Sequence, residues 1–134
     1  MGAWYEPPPP DWTVELPPGL KLLNSNQRPH PMVRAKLTRV LREAGQRAAA
    51  EAGIPHMERV YVICELRPSD RRRRDPGNWY PSAKAAVDGG LVDAGALDDD
   101  DHTRLIGPDM RLGEVVRGSQ LVLHIWDIGG GARS

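Results

Sequence analysis

A chain of 134 residues is the size of one domain, and 40% apolar content supports one modest core, not two. With 13 prolines and no phenylalanine, that core has to be built from Leu, Val, Ile, Ala and the tryptophans. No run approaches the ~20 apolar residues needed to cross a bilayer, and Met1 to Pro10 lacks the basic and apolar regions of a signal peptide, so a cytoplasmic protein without a membrane partner is expected.

In chain order, residues 1–11 hold four consecutive prolines, Pro7 to Pro10, which favour an extended polyproline conformation and read as a flexible tail. Trp12 to Leu16 alternates as a strand and is ended by Pro17-Pro18-Gly19. The spacing of Val33, Leu37, Val40, Leu41, Ala44 and Ala48 predicts a helix from Pro31 to Ala52, stopped by Gly53 and Pro55. Arg34, Arg39, Arg42 and Arg47 fall on its opposite face, as solvated surface or as contacts to a DNA backbone.

Arg59 to Leu66 is the strongest strand, and its Cys64, the single cysteine, reads as inert core packing. A second helix is predicted from Pro81 to Ala94, entered through Pro81 and left at Gly95. Leu121 to Trp126 reads as the closing strand before a glycine-rich end, with 128–134 as a second flexible tail. Strand, helix, strand, helix, strand implies an α+β domain over 12–127: a small mixed sheet covered by two helices.

The net charge is zero, which taken as an average argues against a polyanionic partner. The average hides two opposite patches, four arginines at Arg71 to Arg74 and four aspartates at Asp98 to Asp101. Read alone, each run is a solvated loop. Read together with Asp75 and Lys84, they supply what phosphodiester hydrolysis needs: carboxylates to hold a divalent ion that activates water, and cations that let a polyanion approach. If Asp98 to Asp101 is extended, Asp98 and Asp100 share one face and Asp99 and Asp101 the other. Lys84 and Asp88 stand four apart on the predicted helix, as a surface pair or with Lys84 as a catalytic cation.

Over residues 71–101 the chain resembles the RusA family of Holliday junction resolvases. The pattern is carried by the basic run Arg71, Arg72, Arg73 and Arg74, then Asp75, Asn78, Lys84, Asp88, Ala94-Gly95 and Asp99-Asp100. The resemblance implies a homodimeric α+β endonuclease that cuts four-way DNA junctions with Mg²⁺ or Mn²⁺. It implies metal ligation by Asp75, Asp99 and Asp100, with Asp75, Lys84 and Asp100 catalytic and Asp88 in support; Asp98 is a further supporting candidate by its place in the acidic run. The arginines and Asn78 would contact DNA, holding the backbone without reading sequence.

Two departures matter. Gly77 stands where the family has a second acid, which Asp98 or Asp99 is expected to replace. Gly89-Gly90 adds a glycine after the helical aspartate, marking a bulge, an early helix end or a close backbone contact across a dimer. A branched-DNA-binding protein with weakened cleavage, and a nuclease for flaps or forks, are the competing readings.

Overall fold

The computed structural model describes residues 7–129. Its elements are β1 (Trp12–Glu15), α1 (Pro31–Ala52), β2 (Val60–Arg67), α2 (Tyr80–Val87), β3 (Leu105–Leu112) and β4 (Gln120–Asp127). A 3-10 turn, Pro76–Trp79, leads into α2, and a π-helical turn, Asp88–Asp93, continues it. The sheet order is β1-β4-β2-β3. Because β1 and β2 both run antiparallel to β4, and β3 runs parallel to β2, three strands point one way and β4 the other. The expected mixed sheet with two helices is therefore present.

Strand alternation decides which side the helices cover. Val60, Val62, Cys64 and Leu66 of β2 join Leu121, Leu123 and Ile125 of β4 and Val14 of β1 in one buried cluster with Leu41, Ala44 and Ala49 of α1 and Ala83, Ala86 and Val87 of α2. Burial pushes the Cys64 thiol up to about 12, with the Glu65 carboxylate adding to it, so the packing role expected for this cysteine fits its environment. The intervening residues of β2 and β4 face a side that carries no helix. There Glu65 accepts from Arg67 Nε at 2.9 Å and meets His124 Nε2 at 2.7 Å.

The strand absent from the sequence reading is β3, whose LIGPDMRL is broken by Gly107-Pro108. It is an edge strand, the place where proline costs no interior ladder bond. The register jumps from Tyr61↔Ile106 to Ile63↔Asp109, so the two residues Gly107 and Pro108 oppose Val62 alone. Gly107 has φ 101°, and a Cβ there would lie 2.4 Å from Val62 O, so no other residue fits this bulge.

Helix α1 matches its predicted limits. His30 Nδ1 accepts from Met32 N at 3.1 Å at the start, and Gly53 ends the helix with φ 72°. Its inner face is rotated and shortened relative to the apolar pattern: Leu41, Ala44, Gly45 and Ala49 are buried, whereas Val33 and Val40 are 49% and 38% exposed. Leu37 still packs against the core, so within the first ten residues of the helix it is Val33 and Val40 that the fold leaves uncovered.

The predicted helix over Pro81 to Ala94 is one continuous segment whose second half widens into the π turn, closed by Ala94 N donating to Gly89 O at 3.1 Å. The two glycines answer a contact within the chain, not across a dimer. A Cβ on Gly89 would fall 1.9 Å from Arg42 O, and one on Gly45 would fall 2.6 Å from Ala86 O, so α1 and the α2 segment meet backbone to backbone. Of residues 1–11, the described part is held: Trp126 Nε1 donates to Pro8 O at 2.8 Å, and Asp11 N donates to Ile125 O at 2.9 Å. Ile128 N likewise donates to Arg59 O at 3.0 Å. Residues 1–6 and 130–134 of the two expected tails lie outside the described residues. No helix among the described residues is long and apolar enough to cross a membrane.

Candidate active site

The α2 segment positions the chemistry. Pro81 starts the helix with its φ already set. Ser82, the one buried polar residue among those described, accepts from Leu23 N at 2.5 Å and donates to Leu23 O at 2.8 Å. Ser25 N donates to Asn78 O at 2.7 Å. These bonds staple residues 23–25 to the front of the helix, and Asn78 takes part through its backbone. On the outer side of the helix, Lys84 Nζ donates to Asp88 Oδ1 at 2.9 Å and to Asp100 Oδ2, so one ammonium joins a carboxylate of its own helix to one of the acidic loop.

Burial opposes the Lys84 charge, but its bonds to Asp100 and Asp88 outweigh that and raise its pKa. Asp88 goes the other way from an ordinary carboxylate paired with lysine. Burial raises its pKa, Lys84 pulls it down, and the Asp100 charge raises it again. Asp100 is held below the usual carboxylate range by its bond to Lys84. Two neighbouring carboxylates on one cation, one pushed up and one pulled down, are thus separated in proton affinity.

The four aspartates do not alternate as an extended strand would. They sit in a bend and take four different partners. Asp98 meets His56 Nε2 at 3.1 Å, and Asp99 Oδ1 accepts from Asp100 N at 2.7 Å. Asp100 goes to Lys84, and Asp101 accepts from Thr103 N at 2.9 Å and Arg104 Nη1 at 2.7 Å. Asp98 is turned away, so it does not fill the gap left by Gly77. Asp99 touches the cluster by fixing the Asp100 backbone, and Asp88 stands as the second acid beside Asp100.

Asp75 precedes the 3-10 turn and accepts from Gly77 N at 3.0 Å, its only side-chain hydrogen bond among the described residues. It is exposed, and along the chain the 3-10 turn and the start of α2 lie between it and Lys84. The arginine run divides. Arg74 is 13% exposed, ion-paired with Asp70, donates to Asp70 O at 3.3 Å, and lies over the Trp79 ring with its guanidinium carbon 5.9 Å from the centroid. The Arg72 amide and the Arg74 guanidinium hold the Asp70 carboxyl below its usual range. Arg71, Arg72 and Arg73 are exposed, and of these only Arg72 is paired among the described residues, with Asp70 at 3.4 Å. Trp79 packs against the core as a locking residue, while Tyr80 is exposed.

Two partners escaped the sequence reading. Asp70 is the hinge of the arginine loop, and its i,i+4 spacing to Arg74 was the available signal. Asp93, at the end of the π turn, receives Arg42 in a forked pair at 2.9 and 2.7 Å. No local pattern links two residues 51 positions apart. Arg42 also feels the charges of Asp88 and Asp100, which raise its pKa after the dominant Asp93 bond. From Asp93 a groove of about 570 Å³ runs along α1, lined by Arg34, Thr38 and Arg39.

Among the described residues, no three Asp, Glu, His or Cys side chains converge as a metal-holding group. The donors that do converge are two carboxylates, Asp88 and Asp100, meeting at the point now taken by Lys84 Nζ. A hard-oxygen pair of this kind fits Mg²⁺, which binds through one or two carboxylates and keeps several waters. Compared with known proteins, the chain matches no family model and no curated protein, so the likeness to the RusA family rests on residues 71–101 themselves.

Proposed function

We propose that the chain is a Mg²⁺- or Mn²⁺-dependent endodeoxyribonuclease that acts, as a homodimer, on branched DNA such as a four-way junction. The observation that carries the reading is Lys84 held between Asp88 and Asp100, with Arg42, which feels the charges of both acids, lining a groove along α1 together with Arg34, Arg39, Glu43 and Asp93. A phosphodiester needs negative charge offset on its oxygens and a water made acidic. Asp88 and Asp100 would hold the ion that supplies both. Lys84, released from one carboxylate when the ion binds, would face the scissile phosphate and stabilise charge developing there. Arg71 and Arg73, with Arg34 and Arg39 along α1, would fix the backbone.

A second reading, a protein that binds branched DNA and cuts it poorly, is favoured by one observation: Asp75 is tied into its own turn and Gly77 supplies no acid beside it. Incubating the purified chain with a synthetic four-way junction separates the two. Nicking with Mg²⁺ or Mn²⁺ that stops in chelator supports the enzyme, and Lys84→Ala should lower its rate about 100-fold. Junction binding without nicking in either ion supports the binding protein. Preferred cutting of flaps or forks would move the enzyme to that substrate class.

A further inference from the structure

We propose that the helix-free side of the sheet is a docking groove for a proline-rich segment of a partner protein, occupied in cis by Pro7 to Pro10. Consecutive prolines are confined to the polyproline helix by their own rings and by the restriction each imposes on its predecessor. Such a segment has no amide N–H to donate, and its carbonyls are left as acceptors. Trp126 of β4 meets this chemistry: its indole Nε1 donates to Pro8 O at 2.8 Å, and its ring packs on Tyr61 of β2 with centroids 5.3 Å apart. An aromatic surface for the proline rings with an indole N–H for a carbonyl is a general way of reading polyproline segments.

Among the described residues, Pro7 to Pro10 do not fill the groove. A cavity of about 350 Å³ remains beside Pro7 and Pro8, walled by Tyr61, Ile63, Arg111 and Ile128, and another of about 470 Å³ lies between the prolines, His124 and Leu112. Ile128 and Leu112 stay 44% and 40% exposed at its two rims. A longer proline-rich segment would cover the apolar rims that four residues leave open. Arg111, which makes no ion pair among the described residues, suits a carboxylate in that segment.

The cis tail has an advantage of proximity. Asp11 N bonds Ile125 O and Asp11 Oδ2 accepts from Asp127 N at 2.8 Å, so the prolines are tethered beside Trp126 at high effective concentration. A partner therefore binds by displacing them, and weakening the tail should expose the groove.

The test uses the full chain, a synthetic decaproline peptide, and a variant in which Pro7, Pro8, Pro9 and Pro10 are each changed to Ser. Decaproline should shift the Trp126 indole N–H resonance in the natural chain, assigned through Trp126→Phe, and bind the tail variant about tenfold more tightly. Trp126→Phe keeps an aromatic ring and should weaken binding about fivefold through the lost donor. Tyr61→Ala should weaken it independently if the first variant folds poorly. Absence of a shift in both natural chain and tail variant overturns the proposal, as does equal affinity for the two, which would make the prolines a structural cover. A dimer lost in the tail variant would overturn it in favour of tails exchanged between two copies of the chain.

Discussion

The two ends of the α2 segment carry the same kinds of residue and treat them differently. At the C-terminal end, Lys84, Asp88 and Asp100 are paired and partly buried and Asp93 is paired with Arg42, next to the backbone contact of Gly89 with Arg42. At the N-terminal end, Asp75 and Arg71 to Arg73 are exposed and answer mainly to their own loop. An acid in a family-like pattern is therefore not one kind of group. Its partners decide whether it stores a charge interaction or waits in solvent.

The largest expected difference between the two ends is steric. Gly89→Ala places a Cβ 1.9 Å from the Arg42 carbonyl, a backbone atom that cannot rotate away, and should cost about 3 kcal/mol in urea unfolding. Gly77→Ala meets the Asp75 carboxyl, whose Oδ1 lies 3.3 Å away on a side chain that can turn, and should cost under about 0.5 kcal/mol. Equal losses would mean that the α1 contact is not what holds the C-terminal end.

Next comes activity, on the proposed reading. Asp100→Asn removes a carboxylate that meets Lys84 and should lower junction nicking about 100-fold, with junction binding kept or strengthened by the lost negative charge. Asp75→Asn tests the other end. As drawn by the resemblance it should be equally damaging. As placed by its turn it should be mild, unless substrate or a second protomer draws Asp75 toward Asp100. Comparing the two rates on one substrate assigns the metal-holding acids.

What the sequence made legible follows from how local each signal is. Helix α1, β2 and the Lys84–Asp88 spacing are written in neighbouring residues, and the mixed two-helix sheet follows from their order. β3 was hidden because Gly107-Pro108 interrupts its apolar pattern, an interruption that the edge position and the bulge opposite Val62 accommodate. The exposure of Val33 and Val40 was hidden because periodicity reports a face and not how much of that face the rest of the fold covers. Asp100 beside Lys84 was legible through motif resemblance, whereas Asp98 turning to His56 and Arg42 reaching Asp93 depend on the path of two long connections.

A smaller effect divides the C-terminal acids by pH. The folded pKa of Asp100 lies below its ordinary 3.8, so the stability it contributes is present above that value and is lost as pH falls through the lower folded one. Asp100→Asn should therefore be less stable than the natural chain at pH 7, by about 1 kcal/mol or less given its exposure, with the gap closing at low pH. Asp88 has a raised folded pKa, and its favourable contribution is complete below 3.8 and lost as pH rises through the folded value. Asp88→Asn should be as stable as the natural chain or more so at pH 7, again converging in acid. Thermal unfolding of both variants from pH 7 to pH 3 checks the opposite signs; parallel curves would dissolve the distinction between them.

The smallest effect divides the arginine run itself. On the proposed reading, Arg71 and Arg73 are free to meet phosphates, so Arg71→Gln and Arg73→Gln should each reduce the salt slope of junction binding by about 1 while leaving folding untouched. Arg74 is already committed to Asp70 and Trp79. Arg74→Gln should instead lower stability by about 1 kcal/mol and leave the slope nearly unchanged, because the charge it removes was neutralised within the loop. If Arg74 lowered the slope as much as its neighbours, Asp70 would have to release it when DNA arrives. The loop would then be a part that opens on binding, and the contrast between a locked and an open end of α2 would hold only for the free protein.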